Sequence, residues 1–178
     1  MKTETYDKLV KLYDKYNAQE FGKICQKLLA LSFKRAGFNR IKEREVQGVD
    51  IDASNNDEIK YTIEVKTTTL DSIKIEGKDI KGLAEMQEDG YKPLLAALRI
   101  GVLEDWIFTE ADYLSAVTYP IHFLDIYNLP ELQQLIAPYF DEVVKEHYYS
   151  LLNDSNKKPL EYLKKELEKS GITEVDQS

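Results

Sequence analysis

The chain has 178 residues, enough for one sizeable hydrophobic core and short for two independent domains. Its 24 Lys and Arg stand against 32 Asp and Glu, a net charge of −8, and a single cysteine rules out an internal disulfide and a cysteine-rich metal site. The N-terminus is charged and the longest apolar runs are of strand length, so neither a signal peptide nor a membrane span is expected, and the reading is a cytoplasmic protein. His122 and His147 share no ligand spacing with each other, which disfavours zinc.

Residues 3–16 predict an amphipathic helix with Tyr6, Leu9, Val10, Leu12, Tyr13 and Tyr16 on its apolar stripe, interrupted at Asn17. A second helix over 18–36 carries Phe21, Ile24, Cys25, Leu28, Leu29, Leu31 and Phe33 and stops at Gly37, which can take the left-handed cap conformation. A strand is expected over 39–46. Residues 48–52 and 61–68 follow as two further strands, joined by the turn formers Asn55, Asn56 and Asp57. Residues 72–75 continue as another strand, 78–89 as a helix ended near Gly90, 92–100 as a buried strand and 105–108 as a last strand. Thr109 should cap a short helix reaching Ala116, and 120–128 read as aromatic and irregular. From Pro130, Leu132, Leu135, Ile136, Tyr139, Phe140, Val143, Val144, His147, Tyr148 and Leu151 recur at helical spacing, with a kink or break expected at Pro138. Residues 159–170 complete the helices, and the last residues should fray. The organisation expected is a unit over 1–116 and a helical extension over 117–178, packed on it or forming a homodimer interface.

The acidic excess is uneven. Residues 1–110 hold 18 basic against 20 acidic side chains, and residues 111–178 hold 6 against 12. Two basic clusters, Lys34, Arg35, Arg40, Lys42 and Arg44, and Lys74, Lys78, Lys81 and Lys92, suit either a nucleic-acid backbone or a solvated surface.

The segment Gly48-Val49-Asp50-Ile51-Asp52, followed by Tyr61-Thr62-Ile63-Glu64-Val65-Lys66, carries the chemistry. Alternate residues of a strand share a face, so Asp50 and Asp52 point one way, and Glu64, Lys66 and Thr68 another way from Ile63 and Val65. Pairing the two runs as a hairpin brings Asp50 near Glu64, and two carboxylates converge with one ammonium. A hard cation such as Mg2+, with Mn2+ as a substitute, suits that donor set, with Asp50, Glu64 and the Val65 carbonyl as protein ligands. Lys66, held by the acids, would orient or help deprotonate a water, or balance charge on a phosphorane. Asp52 reads equally as a solvated strand end or as an auxiliary ligand.

Gly48-Val49-Asp50, thirteen residues, then Glu64-Val65-Lys66 resembles the PD-(D/E)xK nuclease superfamily, with Val49 at the variable Pro position. The order of elements over roughly 18–110 is similar to the nuclease core of archaeal Holliday-junction resolvases and Mrr-like restriction enzymes. The resemblance implies an α/β, restriction-endonuclease-like core of helix, three-stranded meander, helix and further strands. It also implies a metal-dependent endonuclease acting on DNA. The superfamily usually adds an acid from the first helix: Glu20 is the acid that helix offers, whereas the spacing back from Gly37 falls on Gln26. The two sit about 120° apart around a helix, and Glu20 is favoured on chemistry. Gln87 and Tyr91 match the Gln-x-x-x-Tyr pattern of RecB-like nucleases, with Gly90 breaking the helix that pattern needs; Gln87 or Glu85 could lie near the substrate. Two other readings compete: a non-cleaving module of the same fold that binds nucleic acid or protein, and a structural salt-bridge network in which Lys66 bridges the two acids.

Overall fold

The computed structural model describes residues 1–44, 49–56, 59–153 and 158–175. Helix α1 (Thr3–Lys15) buries Leu9 and Leu12 and ends before Asn17. Asn17 turns out to be the N-cap of α2 (Ala18–Arg35): its extended backbone and its side-chain oxygen, 2.9 Å from the Glu20 N–H, satisfy one of the donors a helix start leaves free. Gly37, at φ 99°, turns the chain into β1 (Arg40–Arg44), a conformation that a side chain at this position would strain.

Strands β2 (Ile51–Ser54) and β3 (Lys60–Thr68) complete an antiparallel meander with β1, in the register Ile41↔Ala53 and Ile51↔Ile63. The chain then makes β4 (Ser72–Lys74) and α3 (Gly77–Glu88), and returns as β5 (Lys92–Arg99) parallel to β3. A parallel return needs such a crossover, and α3 supplies it. Strand β6 (Ile107–Glu110) closes that edge; β7 (Thr118–Pro120), α4 (Ile121–Leu124), α5 (Pro130–Leu152), α6 (Pro159–Lys169) and β8 (Thr173–Val175) follow. The six-stranded mixed sheet has the order β6-β5-β3-β2-β1-β8. The fold is α/β, as expected.

Both faces of the sheet are covered. On one, Ile41, Ile51, Ala53, Ile63, Leu94, Ala96, Leu98 and Phe108 share a core with Phe21, Ile24, Leu28 and Phe33 of α2 and Ile136, Phe140, Val143 and Val144 of α5. Each of the larger of these side chains contributes roughly 1.5–3 kcal/mol by leaving water. On the other, Val49, Leu95, Ala97 and Ile107 pack with Leu83 of α3 and with Ile73, Ile75, Ile121 and Leu124. The period-two alternation of β2, β3 and β5 divides these two cores.

Several expectations need correction. The strand expected over 72–75 is present as β4, which pairs with β7 in a separate two-stranded sheet over the second core. The strand expected over 105–108 is shifted to Ile107–Glu110, and Thr109, paired with Leu95 and donating to the Leu124 carbonyl at 3.0 Å, lies inside it instead of capping a helix. The short helix shrinks to a 3-10 turn over Ala111–Tyr113. Helix α5 runs through Pro138 without a break; Pro138 is exposed, so the Gln134 carbonyl that loses its donor lies toward water. Leu135 is exposed, not part of the buried stripe. Residues 173–175 pair with β1, Lys42↔Thr173. Val46, Gly48, Asp57 and residues 176–178 fall outside the described residues. Among the described residues no helix is long and apolar enough to cross a membrane.

Candidate active site

The centre lies on the α3-side face of the meander. Asp50 directly precedes β2, clasped through its backbone: its N–H donates to the Ile63 carbonyl at 3.0 Å and its carbonyl accepts the Arg44 N–H at 2.9 Å. Its side chain turns to β3, where Oδ2 accepts the Val65 N–H at 2.7 Å. Glu64 and Lys66 share the adjacent face of β3, and the Lys66 Nζ lies 2.6 Å from Glu64 Oε1. The same ammonium lies 2.8 Å from Oδ2 of Asp79, in the first turn of α3. Asp79 is 1% exposed and Glu64 5% exposed, so this charge cluster sits largely out of water.

Burial governs its electrostatics. Glu64 is pushed up to about 8, first by burial and then by repulsion from Asp50, against the attraction of Lys66. Asp50 is pushed up to about 6, again mainly by burial and despite the Val65 N–H and Lys66. Burial alone would lower Lys66, but the attraction of Glu64 and the hydrogen bonds to Asp79 and Glu64 outweigh it and raise it above the ordinary lysine value. Near neutral pH the lysine is therefore an ammonium, and the two carboxylates are short of compensating positive charge.

That deficit bears on a divalent cation. Asp50 and Glu64 offer hard oxygen donors, and Glu64 Oε2 is buried with no hydrogen-bond partner among the described residues, a state costly for a carboxylate oxygen unless something positive approaches it. Among the described residues no group of three or more His, Cys, Asp or Glu forms a metal cage. The donor set fits a cation that keeps several waters, as Mg2+ does. Val65 stands between Glu64 and Lys66, opposite Ala96 of β5, with its N–H taken by Asp50.

Helix α2 brings Gln26 to the centre. Its Nε2 lies 3.4 Å from both the Arg44 and the Asp50 carbonyls, and the residue is 8% exposed. Glu20 sits in the first turn of α2, and among the described residues its side chain makes no hydrogen bond or ion pair with Asp50, Glu64 or Lys66. Lys23, one turn before Gln26, acts on Asp50 through its field.

The family model for the archaeal Holliday junction resolvase (hjc) matches residues 17–138. The chain belongs to this family. The matched region runs from the α2 cap into α5 and contains Gln26, Asp50, Glu64, Lys66 and Asp79, which upholds the resemblance to PD-(D/E)xK nucleases. A solved structure of Archaeoglobus fulgidus Hjc, described as a Holliday junction resolvase from an archaeal hyperthermophile, is similar at 17% identity. That match covers 60% of this chain and 89% of the other, with a TM-score of 0.49. No curated protein matches the chain.

Other residues singled out in this family member fall elsewhere. Asp52 is not a solvated strand end: it is 3% exposed, 2.6 Å from Arg44 Nη2 through Oδ2, and it accepts Thr62 Oγ1 through Oδ1 at 2.9 Å, so both its oxygens are already engaged. Gln87 donates to Asp112 at 2.7 Å and Glu85 pairs with Lys81, both at the surface, and Tyr91 follows Gly90, whose φ of 83° ends α3. Of the basic clusters, Lys74, Lys78 and Lys81 are each paired with a glutamate. Arg40 and Lys42, by contrast, join Lys60, Ser54, Asp52 and Tyr91 around a hollow of about 200 Å³. Register and alternation place Arg40, Lys42 and Arg44 on the face that holds Asp50 and Glu64.

Asp79 is the residue that sequence reasoning missed. Its signal was the spacing Glu76-x-x-Asp79, which proves to be a reciprocal capping box: Asp79 Oδ2 accepts the Glu76 N–H at 2.9 Å while the Glu76 side chain accepts the Asp79 N–H.

Proposed function

We propose that the chain is a metal-dependent endodeoxyribonuclease that cuts four-way DNA junctions, with Asp50, Glu64 and Lys66 as its working group. The observation that carries this reading is the convergence of the half-buried Asp50, the buried Glu64 with its orphaned oxygen, and a charged lysine inside the family-matched region. Asp50 and Glu64, with the Val65 carbonyl, would hold Mg2+ or Mn2+, which when bound supplies Lewis acidity toward a phosphodiester and its attacking water. Lys66, held between Glu64 and Asp79, orients water and offsets charge developing on phosphate oxygens. Gln26 supports the Asp50 backbone and offers its amide to a water or phosphate, and Glu20 is the alternative helix contribution. DNA is the substrate in this reading, its backbone tracking past Arg40, Lys42 and Lys60 on the same sheet face.

Residues 1–116 form the nuclease unit in this reading and 117–178 its helical extension. Homodimerisation through the C-terminal helices belongs to it too, with Leu135 and Tyr149 as exposed apolar side chains of α5. Cleavage of a synthetic four-way junction and of supercoiled plasmid, each with Mg2+ or Mn2+, tests the proposal. Metal-dependent cutting of the junction should be lost in Asp50→Ala and Lys66→Ala. Preference for plasmid sites would favour a restriction-type role, and absence of both cutting and Mn2+ binding would leave a non-cleaving module.

A further inference from the structure

We propose that Asp79 is a positioning residue that keeps the Lys66 ammonium in the centre when Glu64 is engaged by a divalent cation; this rests on the nuclease reading of the same site. Lys66 is shared between two carboxylates, Glu64 at 2.6 Å and Asp79 at 2.8 Å. In that reading Glu64 also serves the metal, so its charge is drawn in two directions. A lysine whose partner is drawn away, beside a divalent cation that repels it, has a flexible stem and a strongly hydrated head, and swings to water. The Lys66 side chain is 24% exposed, so a route to water exists.

Asp79 prevents this because it cannot follow. It is fully enclosed, its Oδ2 is fixed by the Glu76 N–H, and it sits in the first turn of α3. Helix α3 is itself pinned to the sheet by Leu83 against the layer of Leu95 and Ala97 that flanks β3. Asp79 Oδ1 is buried without a hydrogen-bond partner among the described residues, so Oδ2 carries both the cap and the ammonium. A helix cap accounts for the bond to Glu76 but not for the lysine.

Asp79→Asn separates the two roles, since the amide oxygen still accepts the Glu76 N–H while the charge is gone. The expected result is a junction-cleavage rate lowered roughly 10- to 100-fold, in the range seen when a supporting partner is removed, with junction affinity unchanged. Glu76→Ala breaks the other half of the capping box without touching Lys66 and should leave the rate unchanged. In lysine-labelled protein, the 15N ammonium signal of Lys66 should persist in the wild type with Mg2+ and disappear in Asp79→Asn with Mg2+. Asp79→Asn cutting at the wild-type rate, or Glu76→Ala slowing it as much as Asp79→Asn, would overturn the assignment. Should Asp79→Asn not fold, the wild type decides: loss of the Lys66 signal on adding Mg2+ also overturns it. A wild type that cuts no junction would sink the proposed function, and the ammonium readout would still judge Asp79.

Discussion

Replacing Glu64 by Gln should stabilise the metal-free protein at alkaline pH, the opposite of what a structural salt bridge predicts. In the unfolded chain Glu64 loses its proton near 4.5, and in the folded protein, where burial and Asp50 oppose ionisation, near 8. Between those values the folded state binds more protons than the unfolded state, so stability falls as pH rises through this window and levels off above it. A shift of that size corresponds to roughly 5 kcal/mol. Part of it is repulsion shared with Asp50, so roughly 2–4 kcal/mol is the net gain expected from Glu64→Gln at pH 8.5, shrinking to about 1 kcal/mol or less at pH 5. For a chain of this length that is a rise in Tm of roughly 5–15 °C. Thermal unfolding in EDTA at both pH values measures it. Mg2+ should raise the wild-type Tm at pH 8.5 by mass action and leave Glu64→Gln unmoved. If Lys66 instead merely bridges two structural acids, Glu64→Gln breaks a buried pair and lowers stability by roughly 3–5 kcal/mol. Equal destabilisation at both pH values, with no effect of Mg2+, would refute the reasoning.

The hollow beside Tyr91 makes a second prediction: charge removal at Arg40, Lys42 and Lys60 should weaken junction binding and reduce the slope of log affinity against log salt by about one for each phosphate no longer neutralised. The same change at Lys74, Lys78 and Lys81, already paired with glutamates, should leave both nearly unaltered, and a salt titration of the two triple variants compares them. Phe33→Ala removes a fully buried ring that meets Phe38 and Phe108 edge-on at 5.1 and 5.7 Å, and should cost roughly 3–5 kcal/mol in urea unfolding without changing Mn2+ affinity.

The parts of the site that lie close along the chain were legible in the sequence itself. Alternation placed Asp50, Glu64 and Lys66 on one face with Ile51 and Ile63 opposite, and a single hairpin was enough to join them, because strand parity and turn chemistry act over a few residues. The helical stripe of α2 and its stop at Gly37 were legible for the same reason. Tertiary packing decided the rest. Asp79 meets Lys66 because α3 docks over β3 and β5, a distance no local period encodes. Asp52 became the partner of Arg44 through the register of β1 on β2, which sets which charge faces which. Gln26, not Glu20, touches the Asp50 backbone because the apolar stripe of α2 fixes its rotation against the sheet. The passage of α5 through Pro138 likewise reflects burial that accrues only when distant elements assemble, which outweighs the local preference for breaking a helix at proline, and only assembly could join β8 to β1 across the chain.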